Sequence, residues 1–216
     1  MSPRPRTVTD EDIIAAAAHV IGRLGPGKLT LADVGKEIGL SAATLVQRFG
    51  SKRGLLLAMA KSAADGVEAC FDMVRAAHPS PLAAVIAAAT DMARYLDTPE
   101  EMANHLAFLQ MDFADPDFHR LMVINSRKQL DGYRQLLREA IDAGELADCD
   151  AGRLARSITA ICGGSLISWA VFRQGTAVSW VRADIEAILE PYRSRSAPSA
   201  RISRRSTGMK SRRARR

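Results

Sequence analysis

Three prolines constrain how this chain of 216 residues can fold: Pro81, Pro99 and Pro116 each stand directly behind a residue able to cap a helix, namely Ser80, Thr98 and Asp115. Proline is tolerated in a first helical turn, where its missing N–H has no partner to lose, and the preceding side chain can accept from a free amide. Each pair therefore predicts a helix start. Together with the apolar periodicity, this predicts helices near 52–77, 80–97, 99–113, 116–143, 150–174 and 176–191. No alternating stretch of strand length competes. Ala and Leu dominate and aromatic residues make up only 5%, a balance that favours helix over sheet. The expected fold class is all-α.

The N-terminal segment follows the same logic at shorter range. Thr9 precedes Asp10, Glu11 and Asp12, a cap with acids in the first turn, and Ile13, Ala17, Val20, Ile21 and Leu24 then recur at helical spacing. Gly25-Pro26-Gly27 should end that helix. Thr30 with Asp33 opens a second helix, Gly39 supplies a turn, and Ser41 can cap a third whose inward pair is Leu45 and Phe49. Short helices across a tight glycine turn are the pattern of a helix-turn-helix, in which the second helix enters the major groove.

At 100° per residue, inward Leu45 and Phe49 leave Ala43, Thr44, Val46 and Gln47 on the outward half, with Arg48 on its flank. Gln47 can bond bidentately to adenine, Val46 or the Thr44 methyl can meet a thymine methyl, and Arg48 can bind guanine or phosphate. Ala42 and Ala43 permit close approach, while Ser41, Thr44, Lys52 and Arg53 can hold phosphates. Thr30 completes the set of candidate DNA contacts. Spacing alone leaves open that this is the solvated face of a helical hairpin.

Residues 10–60, with IIAAAAHVIGRLGPGKLTLADVGKEIGLSAATLVQRFGSKRGLLLAM at their centre, resemble the N-terminal domain of TetR-family transcriptional regulators. Thr-x-x-Asp-Val, Gly-Leu-Ser, Thr-Leu and Phe-x-Ser-Lys occur in the family's order and spacing. Departures are Val46 at the usual phosphate-binding tyrosine, Arg48 where a second aromatic is common, and Gly35 for a small alanine. The resemblance implies a helix-turn-helix DNA-binding domain over 1–54 and a larger helical effector-binding and dimerisation domain over 55–192. It also implies a ligand-responsive regulator, a repressor released from a palindromic operator by a small, mainly apolar effector.

Charge divides along the same lines. Residues 1–54 carry 8 Lys/Arg against 5 Asp/Glu, residues 55–192 carry 12 against 19, and residues 193–216 carry 10 against none. Basic ends around an acidic middle suit a polyanionic partner for the ends. The acid-free 193–216 segment is expected to be a disordered basic tail that adds phosphate contacts or merely solubility.

Enzyme chemistry finds little support. Gly22 to Leu29 nearly spells a phosphate-binding loop, but Leu29 stands where a hydroxyl should ligate magnesium and the segment follows a helix. His19, His78, His105 and His119 show no metal-ligand spacing, so no cofactor or metal is expected. Cys70, Cys149 and Cys162 are odd in number and widely spaced, which with a polar, Arg-containing start suggests a reducing, cytoplasmic setting. The longest uncharged run, between Arg156 and Arg173, holds 16 residues, short of the about 20 a bilayer needs. It reads as a buried helix, and no membrane partner is expected.

In the larger domain, Met73, Tyr95, His105, Phe108, Met111, Phe113, Met122, Tyr133, Cys162 and Trp169 are candidate ligand-pocket residues, each also compatible with ordinary core packing. Small residues Ala160, Gly163, Gly164 and Ala170, beside Trp169, Phe172, Val178, Trp180, Val181, Ile185 and Leu189, suit a homodimer face built from the last two helices, or an intramolecular one. The rival reading is an all-α small-molecule binding or catalytic protein without sequence-specific DNA binding.

Overall fold

A computed structural model describes residues 8–194. They form α1 (Asp10–Lys28), α2 (Leu31–Ile38), α3 (Ala42–Phe49), α4 (Lys52–Ala77), α5 (Pro81–Asp91), α6 (Pro99–Ala114), α7 (Pro116–Asp142), α8 (Ala151–Phe172) and α9 (Ala177–Leu189). Single 3-10 turns follow α5 at Met92–Tyr95 and α9 at Glu190–Tyr192. The described residues contain no strand, and the fold is all-α: a three-helix N-terminal domain followed by a larger helical one.

The punctuation works as its chemistry demands. Ser80, Thr98 and Asp115 accept from the amides of Ala83, Glu101 and Asp117. The expected helix over 80–97 is shorter, because α5 gives way at Asp91 to the 3-10 turn and an extended Leu96. Pro99 disfavours helix at the residue before it, and Thr98 is extended, so the chain must turn before α6 begins. At the other expected stop, Gly25 breaks α1 with φ 75°, but Pro26 to Lys28 then add one more turn.

Two apolar clusters result. Beneath α1 to α3, Ile13, Val20, Val34, Leu45, Leu55 and Leu56 pack with Phe118 of α7, all buried. The larger cluster gathers Val67 and Phe71 of α4 with Val85, Leu136, Ile158 and Ile185. A boundary at 54/55 therefore falls inside α4, whose first turns belong to one cluster and whose later turns belong to the other. Arg53 reinforces the joint: its Nη2 donates to Asp115 at 2.8 Å and to Asp117 at 2.9 Å, and its guanidinium lies 5.7 Å from the Phe118 ring centre.

The sequence predicts a tail over 193–216, but Arg193 forms an isolated bridge with Leu146 and the Ser194 amide donates to the Glu145 carbonyl at 3.0 Å. Backbone pairing with the loop after α7 fixes these two residues whatever their side chains. The rest of the tail, 195–216, lies outside the described residues. Helix α8 is long and apolar enough to cross a membrane by length and composition. However, Leu154, Ala155, Ile158, Leu166 and Trp169 are spent on the core, and Arg153 and Arg156 stand in its first two turns.

Candidate nucleic-acid interface and ligand cavity

Thr30 and Asp33 cap α2 reciprocally, the Thr30 hydroxyl accepting from the Asp33 amide at 3.2 Å and the Asp33 carboxylate from the Thr30 amide at 2.9 Å. The Thr30 hydroxyl also donates to that carboxylate at 2.6 Å, and this bond, with the one from the Thr30 amide, stabilises the anion and holds its pKa below the usual value. The turn then comes back on the helix: the Leu40 amide donates to the Gly35 carbonyl at 2.8 Å. A Cβ at Gly35 would collide with the Leu40 carbonyl oxygen, so glycine there serves the tight turn and offsets its helix cost of about 1 kcal/mol.

Across the turn, Ser41 accepts from the Thr44 amide at 3.1 Å and starts α3. Leu45 is fully buried and Phe49 packs on the same cluster. Ala43, Val46 and Gln47 face solvent together, Val46 at 48% exposure. The remaining candidate contacts are occupied in other ways. Ala42 and Thr44 are half-buried, and the Thr44 hydroxyl lies 2.9 Å from Ser41 Oγ. Thr30 Oγ1 is used in its cap. Lys52 Nζ donates to the Gly27 carbonyl at 2.9 Å. Arg48, though on the surface, directs Nε to Asp10 Oδ1 at 2.7 Å and Nη1 to the Val8 carbonyl at 2.8 Å. Glu37, which accepts from Arg23 Nη2 at 3.0 Å and lies 2.9 Å from His19, ties α2 to α1.

Behind this head lies a cavity of about 520 Å³ between α1, α4, α5, α6 and α7. Of the expected pocket residues, Tyr95, His105, Phe108 and Tyr133 line it. The others do not. Met73 and Phe113 point outward at 66% and 64% exposure. Met111 packs on the N-terminal cluster, and Met122 is half-buried on α7 outside the wall. Cys162 sits against the larger cluster, its thiol directed to the Ala89 carbonyl at 3.6 Å. Trp169 is core, its N–H donating to the Gly175 carbonyl at 3.3 Å. Helical periodicity marks inward faces, and a core and a cavity wall share that property.

Sequence reasoning missed Ile21 and Gly22 of α1, Cys70 and Phe71 of α4, and Asp91. Asp91 did leave a signal: it is the single charge in α5. Phe71 meets Tyr133 edge to face with ring centres 5.1 Å apart. Burial raises the Tyr133 phenol well above its ordinary pKa, raises the Cys70 thiol, pushes the Cys162 thiol to about 11 and lowers His105. All four shifts favour neutral groups. Among the described residues, Asp91 and Glu101 are the carboxylates in the wall, and no Lys or Arg lines it. Glu101 already accepts from the Asp97 and Thr98 amides at 2.7 and 3.1 Å, whereas among the described residues the Asp91 carboxylate receives a long 3.9 Å contact from the Cys70 thiol.

A reading head of this build above a cavity has a counterpart among known proteins. Residues 13–59 match the bacterial regulatory proteins of the tetR family, and residues 80–190 match the C-terminal region of BetI-type transcriptional repressors. The chain belongs to the tetR family. Among tetR-type relatives, the HTH-type transcriptional regulator BetI of Agrobacterium fabrum (strain C58 / ATCC 33970) is 31% identical over 161 residues, which span 72% of this chain and 73% of that protein. A TetR transcription regulator from Haloarcula marismortui ATCC 43049 shares the fold with a TM-score of 0.68 at 18% identity, over 85% of this chain and 97% of the other. A proposed transcriptional regulator from Saccharomonospora viridis, solved in complex with choline, gives 0.65 at 20% identity, over 84% and 95%. This tetR-family chain is thus a DNA-binding transcriptional regulator.

Proposed function

We propose that the chain is a homodimeric, cytoplasmic repressor that reads a palindromic operator with α3 and leaves it when a small, mainly apolar molecule enters the cavity. The observation that carries this reading is the outward face of α3, where Ala43, Val46 and Gln47 are free to meet base edges while Leu45 and Phe49 anchor the helix. Gln47 suits adenine and Val46 a thymine methyl. Ser41, Ala42, Thr44 and Lys52 are assigned to close approach and to the phosphates, and Thr30 to a phosphate at the start of α2. Arg48 is assigned to the edge of the interface, where its pair with Asp10 holds α3 against α1.

Dimerisation is assigned to α8 and α9. Ala160, Gly163, Ile167 and Val171 recur every three or four residues along the exposed side of α8, a stripe on which a second copy can pack closely. Two heads would then meet successive major grooves about 34–36 Å apart. Effector binding acts by favouring a dimer with the wrong spacing, to the extent that it binds that form better. Such a cycle consists of binding and release and needs no catalysis.

For the effector, the wall supplies Phe71, Tyr95, Phe108 and Tyr133 with the Asp91 carboxylate and, among the described residues, no cationic side chain. That combination suits an apolar body bearing a positive end, in keeping with the choline held by the Saccharomonospora viridis neighbour. Selection of bound duplex from a random pool tests the whole reading. A palindromic winner, released by millimolar choline or a bulkier quaternary ammonium but not by a fatty acid, is the expected result. No enrichment of any sequence would overturn it.

A further inference from the structure

In an α-helix the carbonyl of Gly22 should receive the amide four residues on, but that residue is Pro26, which has no N–H. A part-buried carbonyl at the end of α1 is thereby left without its helical donor, a loss normally repaired elsewhere. Here the repair comes from another element. Asn104 of α6, 82 residues away in the chain, donates from Nδ2 to the Gly22 carbonyl at 2.6 Å. The backbone of α1 is shaped to receive it: Gly25 adopts φ 75°, and a Cβ there would stand 2.6 Å from Asn104 Oδ1.

This hydrogen bond crosses the seam between the reading head and the cavity. Gly22 itself lines the cavity, together with Ala18 and Ile21 of α1, and Glu101, His105 and Phe108 line it from the same helix as Asn104. Helix α1 in turn holds both reading helices, α2 through Glu37 and α3 through the Asp10 to Arg48 pair. A shift of α6 against α1 is therefore a shift of α3.

We propose that Asn104 is the positioning residue that sets the reading head against the cavity wall, and that occupancy of the cavity alters DNA affinity through its bond to the Gly22 carbonyl. The proposal rests on the repressor reading above and names the joint through which regulation passes. It does not require Asn104 to touch DNA or effector.

The test uses the full chain and the duplex recovered by selection. Asn104→Asp keeps the shape of the side chain but replaces the donor with an acceptor. Its affinity for that duplex should fall about tenfold, the scale set by leaving a part-buried carbonyl unpaired. Binding to a scrambled duplex should change by less than about twofold, since phosphate contacts dominate nonspecific affinity. Asn104→Gln retains a donor and should stay within about threefold of the parent. Equal affinity of Asn104→Asp and the parent would overturn the proposal, as would a fall of both variants on both duplexes with a matching loss of thermal stability. Failure of the parent to enrich any duplex would instead remove the repressor reading, and this inference with it.

Discussion

Arg48 and Asp10 pair across 38 positions of sequence, joining the last turn of the reading helix to the first turn of α1. The guanidinium is thus directed to Asp10 and to the Val8 carbonyl. The pair is exposed, and such pairs contribute about 0.2–1 kcal/mol. Asp10→Asn should therefore weaken operator binding by no more than about fivefold, through a less firmly held α3. Titration of the selected duplex checks this. Tighter binding by Asp10→Asn would mean that Asp10 merely competes with DNA for Arg48.

Asp112 gives the fold a pH dependence. Burial raises its carboxyl from 3.8 to about 6, so between those values the folded chain holds a proton that the unfolded chain has released. Stability therefore falls as pH rises through that window. Asp112→Asn, which carries no charge at any pH, should flatten this fall and melt at a higher temperature than the parent at pH 7.5, with little difference at pH 4. Melting curves at the two pH values decide the matter; an equal offset at both would contradict the burial of a charge as the cause.

The α8 stripe makes a separate prediction. Val171 is 71% exposed on the single chain, so Val171→Glu should leave the helical content and the cavity unchanged. If a second copy covers this face, burying an unpaired carboxylate there should split the dimer. Sedimentation at micromolar concentration should show a monomer with reduced operator affinity. A persisting dimer would move the interface elsewhere.

How much of this was legible beforehand depends on how local the signal is. Thr9, Thr30, Ser41, Thr98 and Asp115 announced their helices because a cap involves residues only two or three apart. The outward face of α3 followed from its two anchors by rotation alone. The cavity was only partly readable, since Tyr133 and Trp169 are both buried aromatic residues of the larger cluster, yet Tyr133 also lines the cavity and Trp169 does not. That distinction depends on how five helices cross. The partners of Arg48, Lys52 and Asn104 were equally hidden, because each lies on another helix and no periodicity links them.

The most direct measurement is the base preference of Gln47→Ala set against that of the parent on the selected operator. Loss of one bidentate contact should weaken binding by about 1–3 kcal/mol and erase discrimination at a single position in each half-site, while the protein melts as the parent does. An unchanged affinity and an unchanged preference at every position would contradict the assignment of α3 as the element that reads DNA.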